Sequence, residues 1–553
     1  MIGLRYFIAV VCALLFYWMF IKHQSLKDWY RCLLAVICIG LTAFILDFSI
    51  TILSYGNLRG AVVIFLIFGL INVAIFVLWR ESPKIMRKIT KADKSCGLSR
   101  REFLKSAGVT AGAIALGGVG VTLATRPRTF ERIDDMHTVF PGYQRFNQIN
   151  EGRFRQRRQE PEMMRRVQAH GPITPMTNTI VDAASSVAWL VHNFQGYHML
   201  WGMQGNHGLY SWDPIGPEMA NTVHSLQIAR EAVGRNRWEA SPDEALKTVK
   251  RFALDCGLAA DMGVALLDQR WIFSHYNRTR PVPPGVVNVN PCPIEFSDSI
   301  EHYQEKEDGT RIISTNMKYV IMMLFRMPFE MYKASPTMVA NGATGFGYST
   351  AAFGVATVAQ FVRALGYNAI PFQNDLMLTI PMAISAGLGE QGRHHMMISP
   401  KVGAAFRLAG VITDLPMTPG KPTDYGISKF CESCLACAKN CPNNAVYDGP
   451  TMTNQGRDPN DLSINNHVRK WYLDPTACVI HHVNATTGGC ALCISYCPFN
   501  KPPGYWTHEF GGRFAPLFGG TIMAGLDEFM GYGGNRDSAD YWNGKFHGEK
   551  GFW

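Results

Sequence analysis

Unbroken apolar runs dominate the beginning of the chain. Three of them, at 3–21, 32–54 and 61–79, are each long enough to cross a bilayer as a helix. A single run at the N-terminus would be compatible with a signal peptide, but three in series are not. We therefore predict that residues 1–80 form three transmembrane helices that act as a membrane anchor.

Basic residues between the runs predict the orientation of this anchor. The loop 22–31 carries more Lys and Arg than the loop 55–60, and residues 80–105 carry nine Lys or Arg against three Asp or Glu. By the positive-inside rule, the loop 22–31 and the basic segment face the cytoplasm, and the N-terminus lies outside.

A second membrane-related signal follows the basic segment. The string SRREFLK (99–105) contains the pair Arg100 and Arg101, and a Gly/Ala-rich apolar run follows at 106–125. This order is typical of a twin-arginine signal, read by machinery that exports folded proteins. We expect residues 81–125 to be a basic cytoplasmic loop with this signal and a fourth apolar segment. The chain after it then lies on the outer face of the membrane.

Further along, the pattern alternates between helical and strand periods. Ser241 followed by Pro242 is a strong helix start, with the serine as N-cap and the proline in the first turn. Apolar positions at 349–365 have helical spacing and end at Gly366. The segments predicted as strands are 318–326, 369–372 and 404–413.

Composition adds two limits to this picture. The 553 residues are too many for one core, so several domains are expected. The net charge of +10 comes from two segments, 80–105 and 126–166, and the remainder of the chain is balanced. A nucleic-acid-binding chain would spread basic residues over a broad face, so no nucleic-acid partner is expected.

Eight of the fourteen cysteines form two spaced sets. The first set lies in CESCLACAKNCP and the second repeats it with its leading cysteine moved upstream. Such spacing is typical of two [4Fe–4S] clusters, in which the last cysteine of each run ligates the other cluster. Zinc and disulfides fit this repeated spacing less well. One cluster is therefore assigned to Cys431, Cys434, Cys437 and Cys497, and the other to Cys441, Cys478, Cys490 and Cys493.

From about residue 99 onward the chain resembles the corrinoid-dependent respiratory reductive dehalogenases. The resemblance implies a base-off cobamide bound on a nitroreductase-like α/β domain, with two [4Fe–4S] clusters in a ferredoxin-like domain that deliver electrons to the cobalt. Besides the twin-arginine string and both cysteine sets, it rests on GFGYST (345–350), FVRALGYNAIPFQND (361–375), AGLGEQGR (386–393) and RLAGVITDLPMTPGKP (407–422).

The resemblance also implies the catalytic residues. Tyr348 matches the family's proton-donating tyrosine, Arg407 the cation that stabilises the tyrosinate, and Asn374 the asparagine that lines the site. The predicted helix begins directly after Tyr348, so we expect the helix dipole to favour the anion as well. Thr344 and the pair His394-His395 are expected near the site, with a structural role favoured for the histidines.

Other family features bear on the cofactor and the substrate. The chain has no D-x-H-x-x-G motif, and Asp135-Met136-His137 lacks the glycine, so a histidine on cobalt is not expected. Trp271 is one of four tryptophans considered as lining for the substrate pocket, although core packing is the favoured role for most of them.

The expected order of domains combines these findings. The anchor (1–80) and export segment (81–125) precede the N-terminal part of the exported catalytic region (126–215), the corrinoid-binding α/β domain (216–415), the ferredoxin-like domain (416–505) and a C-terminal segment packing on the catalytic domain (506–553). The family usually docks on a separate three-helix membrane protein, and we interpret the helices here as a fused replacement for it.

The expected function is a membrane-anchored, outward-facing enzyme that removes halide from an organohalide with electrons from a quinol-linked donor protein. Two alternatives stay open. An epoxyqueuosine reductase shares the corrinoid and the clusters but acts on tRNA in the cytosol. A non-catalytic iron–sulfur subunit would not need the roughly 300 residues that precede the first cysteine set.

Overall fold

The computed structural model describes residues 127–170, 237–277, 290–301, 303–484, 490–501, 520–529 and 532–543. The three predicted transmembrane runs, Arg100, Arg101 and the apolar run 106–125 lie outside the described residues. Within the described ranges, no helix is long and apolar enough to cross a membrane.

Strands and helices alternate through the described part of the chain. The strands are β1 (Arg128–Thr129), β2 (Asp261–Leu266), β3 (His275–Asn277), β4 (Pro291–Ser297), β5 (Gln304–Glu305), β6 (Arg311–Ser314), β7 (Tyr319–Arg326), β8 (Ala369–Phe372), β9 (Glu390–Gln391), β10 (Met397–Ile398), β11 (Phe406–Thr413) and β12 (Thr423–Asp424). The helices are α1 (Gly152–Arg157), α2 (Pro161–His170), α3 (Pro242–Asp255), α4 (Phe329–Lys333), α5 (Met338–Ala364), α6 (Thr379–Ser385), α7 (Ile427–Ser433), α8 (Ala436–Lys439), α9 (Pro475–Asn484), α10 (Leu492–Ser495), α11 (Gly520–Phe529) and α12 (Ser538–Trp542).

The main sheet has the strand order β2-β7-β11-β8, with antiparallel pairing throughout. The three predicted strands are confirmed as β7, β8 and β11. Strand β7 is central and buried on both faces: Val320, Met322 and Leu324 pack into one core and Ile321 and Met323 into the other. This explains why its sequence is a continuous apolar run and not an alternating one.

Helices α3 and α5 cover one face of this sheet. The predicted start of α3 is confirmed, because the Ser241 side chain accepts a hydrogen bond from the Glu244 amide at 3.3 Å. The predicted end of α5 is also confirmed, with Gly366 at a φ of +95° just beyond the helix. Its predicted start is wrong, because α5 begins at Met338 and not after Tyr348.

A second sheet, β3-β4-β6-β5, packs beside the main one and contains a parallel pair, β4 with β6. Its buried residues, among them Tyr276, Cys292 and Ile313, join the core on the opposite face of the main sheet. Strands and helices share both cores, so the fold is mixed α/β.

The cysteine-rich region lies against the main fold and is held by the C-terminal helices. Ser433 at the end of α7 accepts a hydrogen bond from the Gly520 amide at 2.9 Å. The buried ammonium of Lys333, on α4, donates to the backbone carbonyls of Ser495 and Tyr532. Lys501 forms an ion pair with Asp527 on α11. The Lys333 contacts tie the end of the cysteine-rich region to the α/β core, and the other two contacts tie the region to α11.

Candidate active site

Tyr348 and Asn374 meet although 26 residues separate them along the chain. Tyr348 projects from α5, and Asn374 follows the end of β8, the strand next to that helix. The Asn374 side-chain amide donates to the Tyr348 hydroxyl at 2.6 Å. A further hydrogen bond holds the asparagine backbone, because the Gln148 side chain donates to the Asn374 carbonyl at 2.9 Å.

Arg407 completes this group from β11. Its guanidinium lies 4.8 Å from the centre of the Tyr348 ring, and Nη2 donates to the Thr344 hydroxyl at 2.9 Å. Thr344 and Tyr348 are one helical turn apart, so both side chains face the strand. A Cβ at Gly347 would lie 2.9 Å from Arg407 Cγ, so the close approach of helix and arginine depends on this glycine.

The electrostatic surroundings of Tyr348 differ from the expectation in one respect. The tyrosine lies within α5 and not at its N-terminus, so the helix dipole gives it no special stabilisation, since that effect falls off within the first turn. The groups placed to act on Tyr348 include the Arg407 guanidinium, which lies over the ring, and the Asn374 amide, which donates to the hydroxyl.

A cavity of about 310 Å³ lies beside this group, between the α/β core and the cysteine-rich region. That volume is at the lower end of the range for small-molecule and cofactor sites. Asn374 and Gln148 line it from the catalytic side, Trp271 and Phe273 from the core, and residues 463–475 from the opposite side.

Two buried polar atoms at this cavity have no hydrogen-bond partner among the described residues. One is Nε2 of His137, and the other is the indole Nε1 of Trp271. His137 Nδ1 lies 3.0 Å from the Arg469 carbonyl, which can only accept, so Nδ1 carries the proton and Nε2 is a free acceptor. Burial lowers the pKa of His137 to about 4, so the ring is neutral at physiological pH. Both atoms are fully buried, so they lie within the wall of the cavity and are not open to its interior.

The two adjacent histidines after Arg393 differ in their surroundings. His395 lines the cavity, and its Nδ1 lies 2.9 Å from the Trp471 carbonyl. His394 is 2% exposed and receives a hydrogen bond from the Met396 amide. Burial lowers the pKa of both to about 4. Both are neutral, and neither contacts Tyr348 in the described structure.

Four thiols form a first group around α7 and α8. Burial raises the pKa of Cys431, and its charged neighbours include Cys497 and Cys434. Burial also raises the pKa of Cys437 well above its usual value, with contributions from Cys431, Cys497 and Cys434. We call Cys431, Cys434, Cys437 and Cys497 the first thiol group.

The other four thiols form a second group around α9 and α10. Burial raises the pKa of Cys478 to about 12, and Cys490 and Cys441 contribute to the same direction. Burial raises the pKa of Cys493 well above its usual value, and the same three cysteines add to it. We call Cys441, Cys478, Cys490 and Cys493 the second thiol group.

The two groups adjoin each other, and the second lies toward Tyr348. Cys493 has an electrostatic neighbour in each group, Cys478 and Cys497. His482, 3.8 Å from the Cys478 sulfur, has its pKa lowered to about 3 by burial and, among smaller causes, by the charge of Arg407. Within the described ranges, no three His, Cys, Asp or Glu side chains converge on one metal-ion position. A four-iron cluster spreads its thiolates over different irons, so its ligands need not converge.

Sequence reasoning missed several residues that support the site. Gln373 donates to the Tyr348 carbonyl at 2.8 Å, and Gln148 holds Asn374. Arg393, inside the quoted segment AGLGEQGR, is 1% exposed and donates to the carbonyls of Cys431 and Cys434 at the end of α7. Burial and long-range contacts identify these residues, and neither can be read from local sequence spacing.

A mixed α/β core, a tyrosine held by an arginine and an asparagine beside a cavity, and eight clustered thiols are features of a redox enzyme. Residues 191–417 match the family model described as reductive dehalogenase subunit. Over these residues the chain is similar to the reductive dehalogenase family.

The curated relatives agree with the family model. The chain is 29% identical over 371 residues to the tetrachloroethene reductive dehalogenase of Sulfurospirillum multivorans, covering 64% of this chain and 66% of that protein. It is 31% identical over 379 residues to the enzyme of the same name from Dehalobacter restrictus, covering 66% of this chain and 62% of that one. The match therefore spans somewhat less than two thirds of these relatives' own length.

More distant similarities complete the comparison. A solved structure described as a reductive dehalogenase with a mechanism for B12-dependent dehalogenation aligns with a TM-score of 0.41 and 19% identity, covering 53% of this chain and 38% of that one. An epoxyqueuosine reductase of Aliivibrio fischeri is 28% identical over 145 residues, which is 25% of this chain and 35% of that protein.

Proposed function

We propose that this protein is a membrane-anchored reductive dehalogenase that binds a base-off corrinoid and two [4Fe–4S] clusters and serves as terminal reductase in organohalide respiration. Overall, the reaction consumes two electrons and one proton and exchanges a carbon–halogen bond for a carbon–hydrogen bond with release of halide. The observation that carries the proposal is the group of Tyr348, Asn374 and Arg407 beside a cavity. One residue that lines this cavity, Leu473, packs in the same small cluster as Cys441 and Cys493 of the second thiol group.

The chain's own residues fit the proton-transfer half of this reaction. The Tyr348 hydroxyl donates the proton to the carbon that loses halide. The Arg407 charge and the Asn374 amide then stabilise the phenolate left behind. Thr344 fixes the guanidinium by accepting from Nη2, which keeps the charge over the ring. A bound corrinoid supplies a strongly reducing cobalt centre for the organohalide.

The cavity fits the periphery of a corrinoid in its chemistry. Corrin side chains end in primary amides, which both donate and accept hydrogen bonds. The cavity lining includes the side-chain amides of Gln148, Asn374 and Asn465, which have the same hydrogen-bonding chemistry. These polar groups support a polar ligand at the cavity wall.

The thiol groups fit two iron–sulfur clusters. Each group contains four buried or half-buried cysteines, and all eight are free of disulfides. Their membership follows the crossed pattern of two-cluster ferredoxins, in which Cys497 joins the first group and Cys441 the second. Bound iron would lower the pKa values that burial raises, because a coordinating thiol is deprotonated. This arrangement supports a ferredoxin-like domain over residues 416–505.

The anchor and the outward location are part of the same proposal. Residues 1–80 are the three-helix anchor, and Arg100 and Arg101 direct export of residues 126–553 to the outer face of the cytoplasmic membrane through the twin-arginine machinery. The anchor contacts membrane lipid, and a quinol-linked protein donates electrons to the clusters.

Halide release tests the proposed activity. The full-length protein, purified anoxically and supplied with a cobamide and a low-potential electron donor, is incubated with chlorinated and brominated alkenes and phenols. The proposal expects stoichiometric halide that depends on the cobamide. Fully loaded protein that releases no halide from any of these substrates would contradict it.

The shorter match to an epoxyqueuosine reductase gives the second candidate function. It predicts reduction of epoxyqueuosine-modified tRNA and no halide release. A non-catalytic electron-transfer subunit predicts iron without cobalt. Halide release, reduction of modified tRNA and the iron and cobalt content of the same purified protein therefore discriminate the three candidate functions.

A further inference from the structure

A buried arginine lies against the first thiol group. Arg393 is 1% exposed, and its guanidinium stacks on the fully buried ring of Trp471 at 4.4 Å. Its Nε donates to the carbonyls of Cys431 at 3.0 Å and Cys434 at 2.9 Å. Nη1 donates to the carbonyls of Tyr447 and Gly449 at 2.9 and 2.7 Å. The backbone amide of Arg393 also donates to the Cys431 sulfur at 3.4 Å.

This charge has no carboxylate partner in the described structure. All of the guanidinium's hydrogen bonds go to backbone carbonyls. A buried charge without a counter-ion is costly, so a nearby anion is needed to balance it. The guanidinium lies against the backbone of Cys431 and Cys434, and the Arg393 amide reaches the Cys431 sulfur at 3.4 Å. The anion that its position favours is therefore a thiolate-bound cluster at the first group.

The second thiol group has a weaker cationic neighbour. Whereas the charge of Arg407 acts on the adjacent His482, the arginine whose charge acts on Cys478 is Arg153, which is exposed to solvent. Solvent screens such a charge far more than a buried one. Near the first group, Lys501 is paired with Asp527, so its charge is balanced locally.

We propose, on the basis of the proposed function, that Arg393 makes the cluster of Cys431, Cys434, Cys437 and Cys497 the more easily reduced of the two. Reduction adds one electron and hence one negative charge to a cluster. A fixed cation at short distance stabilises that added charge in a low-dielectric surrounding. Arg393 thereby holds an electron on the first cluster before it moves to the second. It is a positioning residue that acts on the cluster and does not contact substrate.

The test is an anoxic redox titration of the full-length holoenzyme, followed by electron paramagnetic resonance. In Arg393→Gln, the reduced-to-oxidised ratio of the first cluster at a fixed potential falls about tenfold, which is about 59 mV for a one-electron couple. The second cluster keeps its potential and serves as an internal control. Arg393→Lys retains the charge, so its shift is smaller than that of Arg393→Gln.

A second variant keeps the inference testable if Arg393→Gln fails to fold. In protein that carries no other substitution, Cys434→Ala should remove or alter the electron paramagnetic resonance signal of the cluster that is reduced first. The inference is overturned if Cys434→Ala instead removes the signal of the cluster that is reduced last. It is also overturned if Arg393→Gln leaves both cluster potentials unchanged or shifts both by the same amount. Protein that binds no iron would instead refute the proposed function, so the two failures are distinguishable.

Discussion

Replacing Tyr348 with phenylalanine removes the proposed proton donor and leaves the ring in place. The variant loses the hydroxyl that accepts from Asn374 at 2.6 Å but keeps the ring beside Arg407. General acid catalysis typically contributes 10²- to 10⁴-fold, so kcat should fall by about that factor, or roughly 3–5 kcal/mol in the activation free energy. Tyr348 is half-buried, so stability should fall by only about 1 kcal/mol.

Tyr367 provides a matched control on the same side of the fold. It lies under Arg237, with the guanidinium 3.7 Å from the ring centre, and its hydroxyl donates to the Trp238 carbonyl at 2.8 Å. Tyr367→Phe therefore removes a comparable hydroxyl from a comparable cation–ring pair, away from the cavity. We expect a similar loss of stability and unchanged halide release.

The assay is halide release by both variants at equal cobalt and iron content, together with thermal unfolding. Tyr348→Phe that keeps more than about a tenth of the wild-type kcat with full cofactor content would refute the role of Tyr348 as proton donor. A fall in activity matched by lost cobalt would assign Tyr348 to cofactor binding.

Asn374→Ala should lower kcat at least about tenfold. Asn374→Asp should lower kcat further, because a carboxylate would repel the phenolate. Steady-state halide release compares the two variants. In Gly347→Ala, the new Cβ would lie 2.9 Å from Arg407 Cγ, so halide release should fall while the free energy of unfolding drops by only about 1–3 kcal/mol. In the control Gly525→Ala, the added methyl group meets open space, so the variant should stay active. The pKa of His137 is about 4 when folded and about 6.5 when unfolded, so only the unfolded chain binds the proton between these values and stability falls as pH drops from 6.5 to 4. The free energy of unfolding of His137→Gln, measured with denaturant, should depend less steeply on pH than that of the wild type. An identical slope in the two proteins would contradict this.

Three strands of the main sheet, β7, β8 and β11, could be predicted from the sequence because they are short apolar segments with clear boundaries, whereas β2 was not predicted. The α3 start followed from the preferences of serine and proline, and the α5 end from Gly366. The start of α5 was missed because Gly342, Gly345 and Gly347 lower local helix propensity, and packing against the sheet overrides that preference.

The site could be predicted only as far as local motifs reach. Tyr348, Asn374 and Arg407 were named from the motifs, and the structure brings them together. The cavity, the unpaired His137 nitrogen and the buried contacts of Arg393 depend on segments far apart in sequence. His137 in particular was considered only as a possible cobalt ligand, because its burial and its contact with the Arg469 carbonyl cannot be read from the sequence.

Iron and cobalt per chain, measured in protein purified anoxically from membranes, test the central claim most directly. The account predicts about eight iron, from two four-iron clusters, and about one cobalt per chain. Iron without cobalt, in a host that makes or imports corrinoid, would contradict the reductive dehalogenase function and leave an iron–sulfur protein of another kind.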